Sequence, residues 1–266
     1  MSFFSVNKIS AGYRNKPVIK NVSFELDSGR LMGILGANGS GKTTLLKAVC
    51  GNLPHSGTVK LNGTVLEGLS AKQISRCCSY VPQRSGISID LSVLDVVLMG
   101  YNPRLSILEH PNREMRDNAL KALEQVGLEG LEDQNYMHLS EGQKQLCIMA
   151  RTLVADCSLL LLDEPESALD FRYRYRMLEI LQKWVREKSV SVLMTLHDPL
   201  LALNYCDRIL LLKDGELLGM FSPQSDTLDK MEQMLTKVYG PVSLHYVASH
   251  SGRRDLVMLK ENETWM

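Results

Sequence analysis

Residues Gly36-Ala37-Asn38-Gly39-Ser40-Gly41-Lys42-Thr43, followed by Thr44, form an unbroken G-x-x-x-x-G-K-T pattern. Side chains of these types at these spacings suit one chemistry, the grip of a polyphosphate. Glycines let the backbone curl until successive N–H groups converge on phosphate oxygens, and a helix opening at the end of the loop adds the positive end of its dipole. The Lys42 ammonium would reach the terminal phosphates, and the Thr43 hydroxyl would ligate Mg²⁺. A nucleoside triphosphate, ATP or GTP, is the expected ligand.

A second constellation lies downstream. The run Leu159-Leu160-Leu161-Leu162-Asp163-Glu164-Pro165 reads as a buried strand that delivers two carboxylates at its carboxyl end, the place where ligands bind in open α/β sheets. Asp163 would hold Mg²⁺ directly or through water. Glu164 would polarise an attacking water as general base, a role that contributes about 10²–10⁴-fold in rate.

Both groups need elements to position them. The apolar run Leu31–Leu35 precedes the glycine loop and the helical pattern Leu45–Val49 follows it, which gives strand, loop, helix. Residues 1 to 35 alternate apolar and polar positions with turn signals at Gly12 and Ser28-Gly29, so antiparallel strands open the chain. Short strands are expected at Gly57–Gly63 and Ser79–Gln83. From about Ile89 to Ala155 apolar residues recur at helical spacing (Val93, Val96, Val97; Ala119, Leu120, Leu123, Val126), which predicts an inserted helical subdomain. Strands at Ser158–Leu162, Val190–Leu196 and Arg208–Leu212 then resume around an amphipathic helix bearing Met177, Leu178, Leu181, Trp184 and Val185. Alternating strands and helices predict an α/β fold, its sheet mostly parallel and covered on both faces. The boundaries that follow are 1–88 and 156–221 for a nucleotide-binding core, 89–155 for the helical insertion and 222–266 for a C-terminal extension. Within the extension a helix is expected at Asp229–Tyr239, and a hairpin at Val242–Val247 and Asp255–Leu259, turning near Ser251-Gly252-Arg253-Arg254.

Composition narrows the function classes. Lys plus Arg and Asp plus Glu are balanced at 30 each, against the basic footprint of a protein that grips nucleic acid by its phosphates. Cys50, Cys77, Cys78, Cys147, Cys157 and Cys206 show no paired zinc spacing and read as reduced thiols of a reducing cytosol. The N-terminal residues carry neither a basic leader nor a long apolar segment. The longest apolar runs are strand length, short of the ~20 residues that cross a bilayer. Any membrane association is therefore expected to come from a partner.

The segment Leu139-Ser140-Glu141-Gly142-Gln143, ahead of the acidic strand, resembles the signature sequence of ATP-binding cassette (ABC) ATPases. Ser167-Ala168-Leu169-Asp170 is similar to that family's D-loop, His197 to its switch histidine, Gln83 to its Q-loop residue and Tyr13 to the aromatic that stacks on adenine. The resemblance spans about residues 3 to 221 and implies a RecA-like P-loop NTPase core. It implies ATP and Mg²⁺ as cofactors, Gln83 and His197 beside Lys42 and Glu164 in catalysis, and Gln83 with Thr43 and Asp163 at the metal. It also implies a head-to-tail homodimer, with each ATP between Lys42 of one copy and the signature residues Ser140 to Gln143 of the other. Three positions depart from the family pattern: Glu141 replaces a glycine, Leu146 an arginine and Glu166 a threonine. A carboxylate near a triphosphate is repulsive, so Glu141 is expected to point away from the nucleotide.

Ser92–Pro103 and the stretches His197-Asp198-Pro199 and Tyr205–Arg208 resemble the importers of iron chelates, haem and corrinoids (cobalamin). The resemblance implies an ATPase on the cytoplasmic face of the membrane, paired with integral-membrane permease subunits and, indirectly, with a substrate-binding protein, with no nucleic acid partner. Rival readings are a soluble ABC ATPase of DNA repair or translation, which usually has tandem cassettes or a long coiled coil, and a phosphate-loop kinase, which would lack the signature.

Overall fold

A computed structural model describes the chain except for Met1, Asn15, Arg84, Ser85, Ile89, Ile107, Ser251, Arg253 and residues 262–266. The expected helical start at Ile89 and the turn residues Ser251 and Arg253 lie outside the described residues. The chain divides into two compact units, residues 1–67 with 193–266, and residues 68–192.

The first unit opens with β1 (Phe4–Tyr13) and β2 (Lys16–Leu26), then β3 (Leu31–Leu35), α1 (Lys42–Val49), β4 (His55–Leu61) and β5 (Thr64–Val65). Four of these strands form an antiparallel sheet in the order β2-β1-β4-β5. Its inward positions alternate as Phe4 and Val6, then Ile9 and Ala11 of β1, with the phase shifted by a register irregularity between Val6 and Ile9, and Phe4 meets Phe24 edge-on at 6.1 Å. β3 is buried at every position, as befits a strand covered on both faces.

The second unit holds α2 (Ala71–Ser75), β6 (Cys78–Val81), α3 (Val93–Leu98), α4 (Arg113–Val126), α5 (Glu141–Ala155), β7 (Leu159–Asp163) and α6 (Phe171–Lys188). β6 and β7 pair in parallel, from Cys78 opposite Leu159 to Val81 opposite Leu162. Helices α3, α4 and α5 pack on one another; α4 buries Ala119, Leu123 and Val126 as its spacing predicts, together with Ala122, whereas Leu120, expected on the same face, is exposed. Asn112 caps α4 at its start, and Gly127 ends it in the left-handed region. The next strand is β8 (Ser191–Thr195), within which the chain passes from the second unit to the first.

The first unit continues with α7 (Pro199–Tyr205), β9 (Arg208–Lys213), β10 (Glu216–Phe221), α8 (Leu228–Tyr239), β11 (Val242–Ala248) and β12 (Arg254–Lys260). β9 runs parallel to β3, and β10 closes that edge antiparallel to β9. The result is the expected α/β architecture: a mostly parallel sheet together with an N-terminal antiparallel one. The expected helix and hairpin of the extension are α8 and β11–β12, which pair antiparallel in unbroken register. Sequence periodicity singles out neither α7 nor β10. The first is too short to show a helical period, and Gly219 interrupts the second with a register shift.

Candidate functional site

The glycine loop turns sharply between β3 and α1. Gly41 adopts φ 103°, and a Cβ there would lie 2.5 Å from Ile19 Cδ1, so backbone and packing both require glycine. Lys42 is only 5% exposed. Its Nζ donates to the carbonyl of Gly36 at 2.9 Å and, more loosely, to that of Ala37 at 3.4 Å. Ser40 Oγ is buried with no hydrogen-bond partner among the described residues. Among the described residues no side chain caps α1 and no acidic residue stands in its first turn, which leaves the positive end of the helix uncapped. A caged ammonium, an unmet hydroxyl and an uncapped helix start are what a phosphate group fits. Ala37, Asn38 and Gly39 are exposed, Thr43 is half-buried and Thr44 buried. Tyr13, at the end of β1, is exposed.

In the second unit β7 delivers Asp163 and Glu164, both buried. Glu164 has φ 49°, a left-handed conformation that costs a non-glycine residue about 1–3 kcal/mol and persists only where surroundings impose it. One such constraint is visible: Gln83 Nε2 donates to Glu164 Oε2 at 2.7 Å. A neighbouring contact runs from Tyr80 OH to Asp163 Oδ2 at 3.3 Å. The parallel register of β6 on β7 brings both donors to the acidic strand end. A carboxylate steadied in this way can orient a water and accept its proton.

For a divalent cation the donor types are suitable. Among the described residues no group of three or more His, Cys, Asp or Glu could hold a metal ion. Mg²⁺ does not need one, since it takes one or two protein oxygens and completes its shell with phosphate and water. The Thr43 hydroxyl and the Asp163 carboxylate are hard oxygens of that kind.

Ser140 is exposed and caps α5. Its Oγ accepts from Gln143 N at 3.2 Å, and its own N–H donates to Gln143 Oε1 at 3.0 Å. This capping box puts Ser140 and Gly142 at the positive end of a 15-residue helix. Glu141 is turned outward, its side chain 75% exposed and paired with Lys144 at 2.8 Å. The charge that breaks the glycine pattern is thereby balanced within its own helix turn. Leu146 is buried in the helical packing. Glu166 is buried as well, and Asp170 caps α6 by accepting from Tyr173 N at 3.1 Å.

His197 is exposed directly after β8, which is anchored by Leu196 N donating to Ile34 O at 3.1 Å. Asp198 caps α7 through Oδ1, which accepts from Leu200 N at 2.8 Å. The first unit thus carries Tyr13, residues 36–44 and His197, whereas the second carries Gln83, residues 140–143, Asp163, Glu164 and Asp170. Within them the structure joins Lys42 to its loop and Gln83 to Glu164.

The family model for ABC transporters matches residues 19–167, more than half of the chain. The chain belongs to the ABC transporter family. Over 260 residues it is 32% identical to the hemin import ATP-binding protein HmuV of Shewanella denitrificans, covering 96% of this chain and 98% of that one. A metal-chelate type ABC transporter solved in an inward-facing conformation is similar in structure, with TM-score 0.82 and 25% identity across 98% of this chain and 99% of that one. The cassette MJ0796, solved as a dimer in a post-hydrolysis state with ADP and phosphate, shares the fold at TM-score 0.76 and 24% identity, covering 84% of this chain and all of that one. The protein is therefore an ATP-binding cassette, an ATPase of this family.

Sequence reading located Gln83 and Glu164 but not the bond between them, because the two are 81 residues apart and meet only through strand pairing. Tyr80 was missed in the cassette for the same reason. α7 carried a readable signal, Asp198 followed by Pro199, the pairing of a capping residue with proline at the first helical position.

Proposed function

We propose that this cassette is the ATP-hydrolysing subunit of an importer that moves haem or an iron chelate through a permease in the membrane. The observation that carries the reading is the end-to-end likeness to a hemin import protein, which spans 96% of this chain and so takes in its extension. The likeness to a metal-chelate type transporter points the same way. Both favour an importer over a soluble ATPase of DNA repair or translation, and corrinoids remain in the expected substrate class.

We assign the nucleotide-binding core to 1–88 and 156–221, the helical subdomain to 89–155 and the extension to 222–266. In this reading Lys42 and the N–H groups of residues 36–44 hold the phosphates, and Tyr13 stacks on adenine. Thr43, Asp163 and Gln83 would hold Mg²⁺, which supplies neutralising charge to the phosphates when bound. Glu164 takes the proton of the attacking water, with Gln83 fixing its carboxylate. His197 faces the terminal phosphate. A second copy contributes Ser140 to Gln143 at the start of its α5, where the helix dipole and the serine hydroxyl stabilise charge developing on the transferred phosphoryl group. Asp170 and its loop line the contact between copies. No helix among the described residues is long and apolar enough to cross a membrane, so we place the protein as a peripheral subunit on the cytoplasmic face. It would be held there by permease subunits and reached by a substrate-binding protein only through them.

Co-purification from detergent-solubilised membranes tests the reading. An integral-membrane partner is expected, together with ATP hydrolysis that rises when haem or an iron chelate is presented to the assembly. Recovery of the cassette without any membrane protein, at a hydrolysis rate indifferent to such compounds, overturns it.

A further inference from the structure

The C-terminal extension is bound to the helix that follows His197. Asn204, the penultimate residue of α7, holds both backbone groups of Leu256 in β12: its Nδ2 donates to Leu256 O at 2.9 Å, and its Oδ1 accepts from Leu256 N at 2.8 Å. The same Nδ2 donates to Leu200 O, one turn back in α7, at 2.9 Å. A side-chain amide that satisfies an N–H and a C=O of one residue takes the place of a neighbouring strand. β12 pairs with β11 on one edge, and the amide serves its other edge. Leu256, and Leu244 of β11, are buried.

The rest of the extension reinforces the clamp. Glu232 of α8 accepts from Leu244 N of β11 at 2.6 Å, which ties helix to hairpin. Tyr239, the last residue of α8, buries its hydroxyl with no hydrogen-bond partner among the described residues. Burial, and after it the charge of Asp198, push the Tyr239 pKa up to about 12. On its opposite side α7 packs closely on β3. A Cβ on Gly33 would lie 2.8 Å from Cys206 Sγ and 3.6 Å from Ala202 Cβ. The capping Asp198 and the ring of Pro199 leave little slack between α7 and His197.

We propose that the extension is a brace on the segment that carries His197, and that Asn204 is a positioning residue which sets the rate of hydrolysis without touching the nucleotide. The proposal rests on the reading of His197 as part of the hydrolytic site. A hairpin pulled away from α7 would free one face of that helix and let the histidine drift from its working position, while Lys42 and its loop keep their own contacts. The extension is thus a point at which a bound partner could slow or quicken turnover.

The test compares Asn204→Ala and Asn204→Asp in the full-length chain, measuring steady-state ATP hydrolysis, affinity for a fluorescent ATP analogue and amide hydrogen exchange. Asn204→Ala removes the whole clamp. Turnover is expected to fall roughly fivefold or more, with affinity within twofold of wild type and faster exchange over 199–205 and 254–260. Asn204→Asp keeps the acceptor for Leu256 N but sets a carboxylate oxygen against the carbonyls of Leu256 and Leu200, so it is expected to lower turnover as Ala does, again at unchanged affinity. Wild-type turnover in Asn204→Ala despite faster exchange in both segments overturns the proposal. So does parallel loss of turnover and affinity in Asn204→Ala while Asn204→Asp behaves as wild type, because the residue is then only structural. Should Asn204→Ala fail to fold, Asn204→Asp decides: reduced turnover at unchanged affinity supports the brace, and wild-type turnover with faster exchange overturns it. Full hydrolysis by a His197→Ala chain would instead remove the underlying site reading, and the exchange data would still report on the clamp.

Discussion

Lys42 is held by carbonyls five and six residues away on its own loop, whereas Glu164 is held by an amide 81 residues away, just past the end of β6. The first arrangement forms wherever strand, glycine turn and helix follow one another. The second exists only when β6 and β7 pair in the correct register, since a slip of one residue would turn Tyr80 to the other face and carry Gln83 out of line with the acidic strand end. Binding chemistry therefore resides in a local motif and hydrolytic chemistry in long-range pairing. Damage to one should leave the other largely intact.

The largest expected effect separates the two. Glu164→Gln keeps shape and hydrogen bonding but removes the base, so turnover should drop about 10²–10⁴-fold while the affinity for ATP stays at the wild-type value and an ATP-bound dimer accumulates on size exclusion. Hydrolysis at the normal rate would take Glu164 out of the base role. Lys42→Ala is the converse. Loss of a charged donor worth about 1.5–3 kcal/mol should weaken nucleotide binding by roughly ten- to hundredfold in a titration, and an unchanged affinity would contradict the loop assignment.

Gln83→Ala probes the long-range link itself. Without the 2.7 Å bond to Glu164, turnover should fall by about tenfold, corresponding to one hydrogen bond to a charged group, with affinity unaltered. A loss as deep as that of Glu164→Gln would mean that the part assigned to Gln83 at the metal outweighs its hold on the carboxylate. The smallest effect is expected far from the nucleotide. Tyr239→Phe removes a buried hydroxyl that lacks a partner, so thermal unfolding should show a stability unchanged or raised by up to about 1 kcal/mol. A marked drop would reveal a hydrogen bond formed by that hydroxyl.

The same contrast explains what could be read before the structure. The loop from Gly36 to Thr44, the buried run ending at Asp163, and the helix and hairpin of the extension are all written in consecutive residues, as glycines, apolar runs or alternation. Glu141 shows the limit of such reading. Its deviation from the family pattern was visible, but its neutralisation by Lys144 required the helix to be in place. The left-handed backbone at Glu164, the contact of Tyr80 with Asp163, and the grip of Asn204 on Leu256 were illegible because each depends on partners brought together by the sheet or by packing.

Burial also grades the six thiols. Desolvation pushes the pKa of Cys50 and Cys157 up to about 11 and that of Cys147 to about 12, and Cys78 and Cys206 are buried as well. Cys77 alone is half-open to solvent, one residue before the strand that leads to Gln83. A maleimide dye offered to the native chain should settle there first, so an unaltered molecule already carries a place from which fluorescence could follow the approach to the acidic centre.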